Sequence, residues 1–87
     1  MPKVLLYTTT ACPYCIRAKR LLEQKGVVYQ EIKVDHDLNQ MAIMMQRSNR
    51  RTVPQIFIDD YHVGGYDDLA ELDVEGNLDI LLSKVST

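Results

Sequence analysis

The order of elements legible in the sequence, β-α-β-α-β-β-α-α, predicts an α/β protein built on one four-stranded mixed sheet flanked by helices. Three observations carry this. A short apolar run at Lys3–Tyr7, a helical stripe after it and a second strand pattern at Val27–Val34 form a βαβ unit, so the first two strands run parallel. Ile56–Ile58 and Tyr61–Val63, joined by Asp59-Asp60, read as a hairpin. Two more helical patterns end the chain. Its 87 residues leave room for one domain, residues 1–87.

Each element has its own signal. "KVLLY" is a continuous apolar run, as in a strand covered on both faces. Pro13 suits the first position of the next helix, where the missing N–H has no partner anyway. Cys15, Ala18 and Leu22 then fall on one stripe with Leu21 beside it, while Arg17, Arg20 and Gln24 face away; Lys25-Gly26 ends the helix. In the second strand Val28, Ile32 and Val34 share one face. Asp37 caps the second helix, with Gln40 in capping-box position and Leu38, Met41, Ala42 and Met45 as the apolar face. Met41, Met44 and Met45 read as core filler. After the hairpin, Gly64-Gly65 breaks the strand and Asp67 caps a short helix carrying Leu69 and Leu72. Asn77 caps the last helix, with Leu78, Leu81, Leu82 and Val85 on one face.

Composition narrows the function. With 46% hydrophobic and 25% charged residues, the chain has the make-up of a globular protein rather than a disordered one. A formal net charge of −2 gives no global attraction to nucleic acid or anionic membrane. The apolar run Val4–Tyr7 is too short for a signal-peptide core or a membrane helix, so a cytoplasmic setting is expected.

Chemistry concentrates at "ACPYCIRAKR", which holds the only two cysteines, Cys12 and Cys15. A structural disulfide is disfavoured by a reducing cytosol and by the very short loop it would close. A zinc site lacks its second ligand pair, since His36 and His62 are single and far apart. A redox pair remains. Cys12 precedes the free N–H groups of a helix, which favour a thiolate; cysteines so placed titrate at about 3.5–7.5 instead of about 8.5. Cys12 stands at the exposed N-terminal end of the helix, whereas Cys15 lies one turn further on, on the buried stripe. Attack by Cys12 and resolution by Cys15 is the division of labour this placement favours.

"CPYC" at a strand-to-helix junction, then "TVPQIFI", then "GGYDDL" resemble the glutaredoxins, the small bacterial glutaredoxin 3-like group above all, over Val4 to about Leu82. The resemblance implies the thioredoxin-like fold, with sheet order β2-β1-β3-β4 and the third strand antiparallel to the first. It implies a glutathione-dependent thiol-disulfide oxidoreductase with glutathione as cosubstrate and no tightly bound cofactor or metal. It implies a cis Val53–Pro54 bond that turns the Val53 N–H and C=O outward beside Cys12, to pair with the tripeptide like an added strand. The γ-glutamyl carboxylate would meet the N–H groups of Tyr66 and Asp67, with the Asp67 side chain on the ammonium and Gly65 allowing close approach. Tyr14 would wall the thiol groove, Thr52 would flank Val53, and Arg51 or Gln40 would meet the glycyl carboxylate.

Two positions depart from the family. Thr9 stands where relatives often carry a cation, leaving the Cys12 thiolate more dependent on helix amides, and Met41 stands where a basic or amide residue commonly meets the glycyl carboxylate. The implied partners are disulfide-bonded or glutathionylated proteins, ribonucleotide reductase being a candidate, with glutathione reductase as the indirect source of electrons. Nucleic acid and membrane are not among them, and the protein is expected to be a monomer. The alternatives are a thioredoxin-reductase-coupled redoxin of the same fold and a carrier whose [2Fe–2S] cluster is ligated by Cys12 and glutathione.

Overall fold

β1 (Val4–Thr8) lies inside the sheet, which explains why its sequence is apolar at nearly every position. It is followed by α1 (Pro13–Gln24), β2 (Tyr29–Lys33), a 3₁₀ turn (Val34–His36), α2 (Leu38–Ser48), β3 (Gln55–Ile58), β4 (Tyr61–Gly64), α3 (Tyr66–Val74) and α4 (Asn77–Ser83). The structure is a computed structural model and describes residues 2–83. The sheet order is β2-β1-β3-β4. β1 runs parallel to β2, with Val4 opposite Tyr29, and antiparallel to β3, with Leu6 opposite Ile56. β4 returns antiparallel along β3. This is the thioredoxin-like arrangement. Among the described residues, no helix is long and apolar enough to cross a membrane.

Strand alternation divides the core in two. Val4, Leu6, Ile56 and Ile58 pack with Ala18 and Leu22 of α1, Leu69 of α3 and Leu78 of α4. On the opposite face Tyr7 and Phe57 meet Val34 and Met44. The Tyr7 and Phe57 rings sit edge to face, 5.9 Å between centroids.

Four local expectations change. β2 is shorter than Val27–Val34: Val28 precedes it and is 89% exposed, while Val34 turns into the 3₁₀ segment and is buried in the second core. The buried stripe of α2 runs through Met41, Met44, Met45 and Ser48, leaving Leu38 82% exposed and Ala42 on the surface. Three methionines so close together allow either phase. Ser48 decides it, because its hydroxyl donates to the Met44 carbonyl at 2.7 Å and accepts the Arg50 N–H at 3.0 Å, so it can be buried with its polar atom satisfied.

Asp67 does not cap α3. The cap residue is Gly65, and Asp68 in the first turn reaches back to accept the Gly65 N–H at 2.9 Å. Asn77 is the first residue of α4 rather than a cap ahead of it. Leu78, Leu81 and Leu82 pack as the stripe predicts, and Val85 lies outside the described residues.

Candidate active site

Cys12 is the N-cap of α1, with extended backbone at φ −137° and ψ 101°. Its sulfur accepts the Cys15 N–H at 3.1 Å, so it occupies the place where a helix terminus concentrates positive partial charge. The approach to it is anchored from outside: the Thr10 N–H donates to Asp35 at 3.0 Å, and Thr10 Oγ1 lies 2.9 Å from His36 Nε2. The Thr10 amide holds the Asp35 carboxyl below its ordinary pKa.

Cys12 was expected at an exposed helix end, but it is only 9% accessible. The backbone of Val53 covers it, with the Val53 carbonyl oxygen 3.9 Å from Sγ. A cover contributed by a segment 41 residues away is invisible to a local reading of the helix end. Cys15, on the inner stripe, is 1% exposed. Burial first, and hydrogen bonding with Cys12 second, push its thiol up to about 12, against opposing contributions from the Thr9 amide and Lys19. Both cysteines are free, and Cys15 is a thiol at neutral pH.

A cleft of about 290 Å³ is lined by Val53, whose carbonyl lies against Cys12, but Cys12 itself does not line it. Thr52, Val53 and Pro54 form one side, Gly65, Tyr66 and Asp67 the other, and Tyr14 closes the end toward α1. The Val53–Pro54 bond is cis. The Tyr14 and Tyr66 rings stand 6.3 Å apart, and the Arg17 guanidinium lies 5.3 Å from the Tyr14 centroid. The N–H groups of Tyr66 and Asp67 belong to the first turn of α3 and have no partner within the helix.

Arg51 is exposed and does not line the cleft. Arg50 does, paired at 3.0 Å with Asp68, and sequence reasoning singled out neither. The Asp68 carboxylate joins Gly65 to Arg50, and these bonds, Gly65 first, hold it below the usual carboxylate range. Gly64 has a φ of +114°, and a Cβ there would collide with the Asp68 carboxylate. An acidic residue three positions after Gly65 was the available signal for Asp68. Nothing local marks Arg50 over Arg51. Met41 is partly buried against the second core and Gln40 is half-buried on α2. Among the described residues no group of three or more His, Cys, Asp and Glu is placed to hold a metal ion.

The family model for Glutaredoxin matches residues 4–63. Glutaredoxin 3 of Escherichia coli is 54% identical over 82 residues, covering 94% of this chain and 99% of that protein. The solution structure of glutaredoxin from Brucella melitensis superposes with a TM-score of 0.84 at 49% identity, covering 99% of this chain and 96% of that one. A buckwheat glutaredoxin–glutathione complex reaches a TM-score of 0.86 at 34% identity, covering 94% of this chain and 77% of that one. A pair of free cysteines at a helix start, the mixed sheet and similarity over 94% of the chain agree: the chain belongs to the glutaredoxin family of thiol-disulfide oxidoreductases.

Proposed function

We propose that the protein is a dithiol glutaredoxin that reduces protein disulfides and glutathione mixed disulfides, with glutathione as the reductant. One observation carries the reading: the Cys12 sulfur accepts the Cys15 N–H in the first turn of α1 and lies against Val53 of the cleft wall, while Cys15 is buried and protonated.

With a glutathionylated protein, the Cys12 thiolate attacks the glutathione sulfur. The old S–S bond breaks, the protein leaves as thiolate, and Cys12 carries glutathione. A second glutathione thiolate attacks that sulfur, giving oxidised glutathione and regenerating Cys12. With a protein disulfide, Cys12 forms a mixed disulfide; Cys15 then gives up its proton and attacks the Cys12 sulfur. The second substrate thiol is released, and the Cys12–Cys15 disulfide is reduced by two glutathiones. A glutaredoxin potential of about −200 to −230 mV suits this direction against a reducing cytosolic pool, where we place the protein as a monomeric single domain.

In the cleft, Val53 N–H and C=O pair with the tripeptide backbone, and Tyr14 flanks its sulfur. The Tyr66 and Asp67 amides take the γ-glutamyl carboxylate, Gly65 lets it approach, and the Asp67 carboxylate faces the ammonium. Arg51, just before Thr52, is the cation assigned to the glycyl carboxylate. The buckwheat complex, a relative with glutathione bound, supports this ligand class. The test is disulfide reduction coupled through glutathione reductase to NADPH oxidation. Turnover should rise and saturate with glutathione. Turnover driven by thioredoxin reductase without glutathione would overturn the reading.

A further inference from the structure

We propose that His62 is a positioning residue for the glutathione site: acting through Gln55, it holds the Thr52–Val53 backbone that lines the cleft beside Cys12. This rests on reading the cleft as the glutathione site. Residues 49–54 form no strand or helix, so no ladder of backbone bonds holds them. Ser48 fixes the segment at Arg50. Gln55 fixes it at Thr52.

Gln55 opens β3 and is fully buried. Its Nε2 donates to the Thr52 carbonyl at 3.0 Å and lies 3.3 Å from Thr52 Oγ1, while its Oε1 lies 2.7 Å from His62 Nε2. The directions follow from chemistry. The Thr52 carbonyl can only accept, so the carboxamide must turn its NH₂ toward it. The other end, Oε1, can also only accept, so His62 must present Nε2–H. One backbone carbonyl thus sets both the amide orientation and the imidazole tautomer.

The imidazole is itself anchored. It stacks on Phe57 at 4.8 Å and 26°, and Phe57 is a member of the second core. The charged groups facing it are Arg47 on α2, Arg50 just after α2, and Asp68 on α3. Burial first, then Arg50, hold its pKa below the ordinary value, with Asp68 opposing. The ring is therefore neutral at neutral pH, with its single N–H committed to Gln55.

Removing that N–H leaves a buried acceptor without a partner and loosens the Gln55–Thr52 tie. The experiment compares wild type, His62→Phe and His62→Gln by glutathione titration and by exchange of the Gln55 side-chain amide protons. Phenylalanine keeps a ring on Phe57 but has no donor; glutamine restores one. His62→Phe should raise the glutathione concentration for half-maximal rate about fivefold at nearly unchanged maximal rate and speed Gln55 exchange, because a buried acceptor has lost its partner. His62→Gln should recover most of both. If His62→Phe changes neither, the proposal is overturned. A rise that His62→Gln fails to recover also overturns it, because the loss is then one of packing. Wild-type turnover indifferent to glutathione would overturn the functional reading instead, and Gln55 exchange would then decide the positioning claim alone.

Discussion

The cysteine turn and the cleft beside it share a wall, yet different kinds of contact hold them. Cys12 receives its amide from Cys15, three residues away, and Pro13 between them starts the helix that aims it. The cleft is closed by pairs distant in sequence: Arg50 with Asp68, 18 residues apart, and Val53 against Cys12, 41 apart. A nucleophile made by a helix end forms wherever that helix forms. A ligand site made by tertiary closure depends on the whole sheet being assembled. Sulfur chemistry should therefore respond to substitution in an all-or-none way, whereas use of glutathione should be graded.

The largest expected effect breaks the first region. Cys12→Ser should abolish turnover with every disulfide substrate. Cys15→Ser should keep reduction of glutathione mixed disulfides, which needs only Cys12, and lose most reduction of protein disulfides. Parallel assays on the two substrate classes give the answer. Substantial turnover by Cys12→Ser would show that the nucleophile is misassigned.

Next comes the long-range closure. Asp68→Ala removes the acceptor that ties Gly65 to Arg50. Half-saturation by glutathione should rise about twentyfold as the cleft loses shape. Stability should fall by about 1 kcal/mol, less than a buried charged hydrogen bond, because the side chain is 43% exposed and partly screened. The pH dependence has a definite sign. The folded carboxyl sits below its ordinary value of 3.8, so its contribution is full above 3.8 and disappears as pH falls through the lowered value. Denaturation of both proteins across that range should show the gap closing on acidification; a gap that widens would mean the pairing is not what stabilises the fold.

Asp67→Ala separates the neighbours. Asp67 is exposed and caps nothing, so stability should hold while half-saturation by glutathione rises about tenfold, near the low end for a charged hydrogen bond of roughly 1.5–3 kcal/mol. Glutathione titration beside a thermal melt tests both halves. An unchanged titration would remove Asp67 from the ligand's ammonium.

What was legible in the sequence follows the same division. The α1 stripe of Cys15, Ala18 and Leu22 was readable because one helical period specifies it. The sheet order came from the family motifs and not from strand patterns, which do not encode neighbours. The phase of α2 was missed because the cue is a serine that satisfies its own hydroxyl within the fold. Arg50 was missed because the partner that distinguishes it, Asp68, lies 18 residues on, and Gln55 and His62 because a hairpin pattern does not say which side chains of its two strands meet.

The smallest expected effect concerns the two adjacent arginines. Arg50 is engaged with Asp68 in the cleft; Arg51 is exposed and assigned only to the outer end of glutathione, the glycyl carboxylate. An exposed cation acting on an anion through solvent gives a weak attraction that salt screens over about 8–10 Å. Arg51→Ala should therefore raise half-saturation by about threefold at low ionic strength and leave it unchanged at high ionic strength, with no change in stability, as exposed pairs contribute about 1 kcal/mol at most. Arg50→Ala should behave otherwise, with an effect larger than that of Arg51→Ala but smaller than that of Asp68→Ala, because the Asp68–Gly65 bond remains, and one that shrinks without vanishing at high ionic strength. Glutathione titrations of both variants at two salt concentrations separate the roles. If Arg51→Ala is silent even at low salt, the glycyl carboxylate is held elsewhere, and residue 51 is only the exposed end of the segment that Ser48 and Gln55 hold in place.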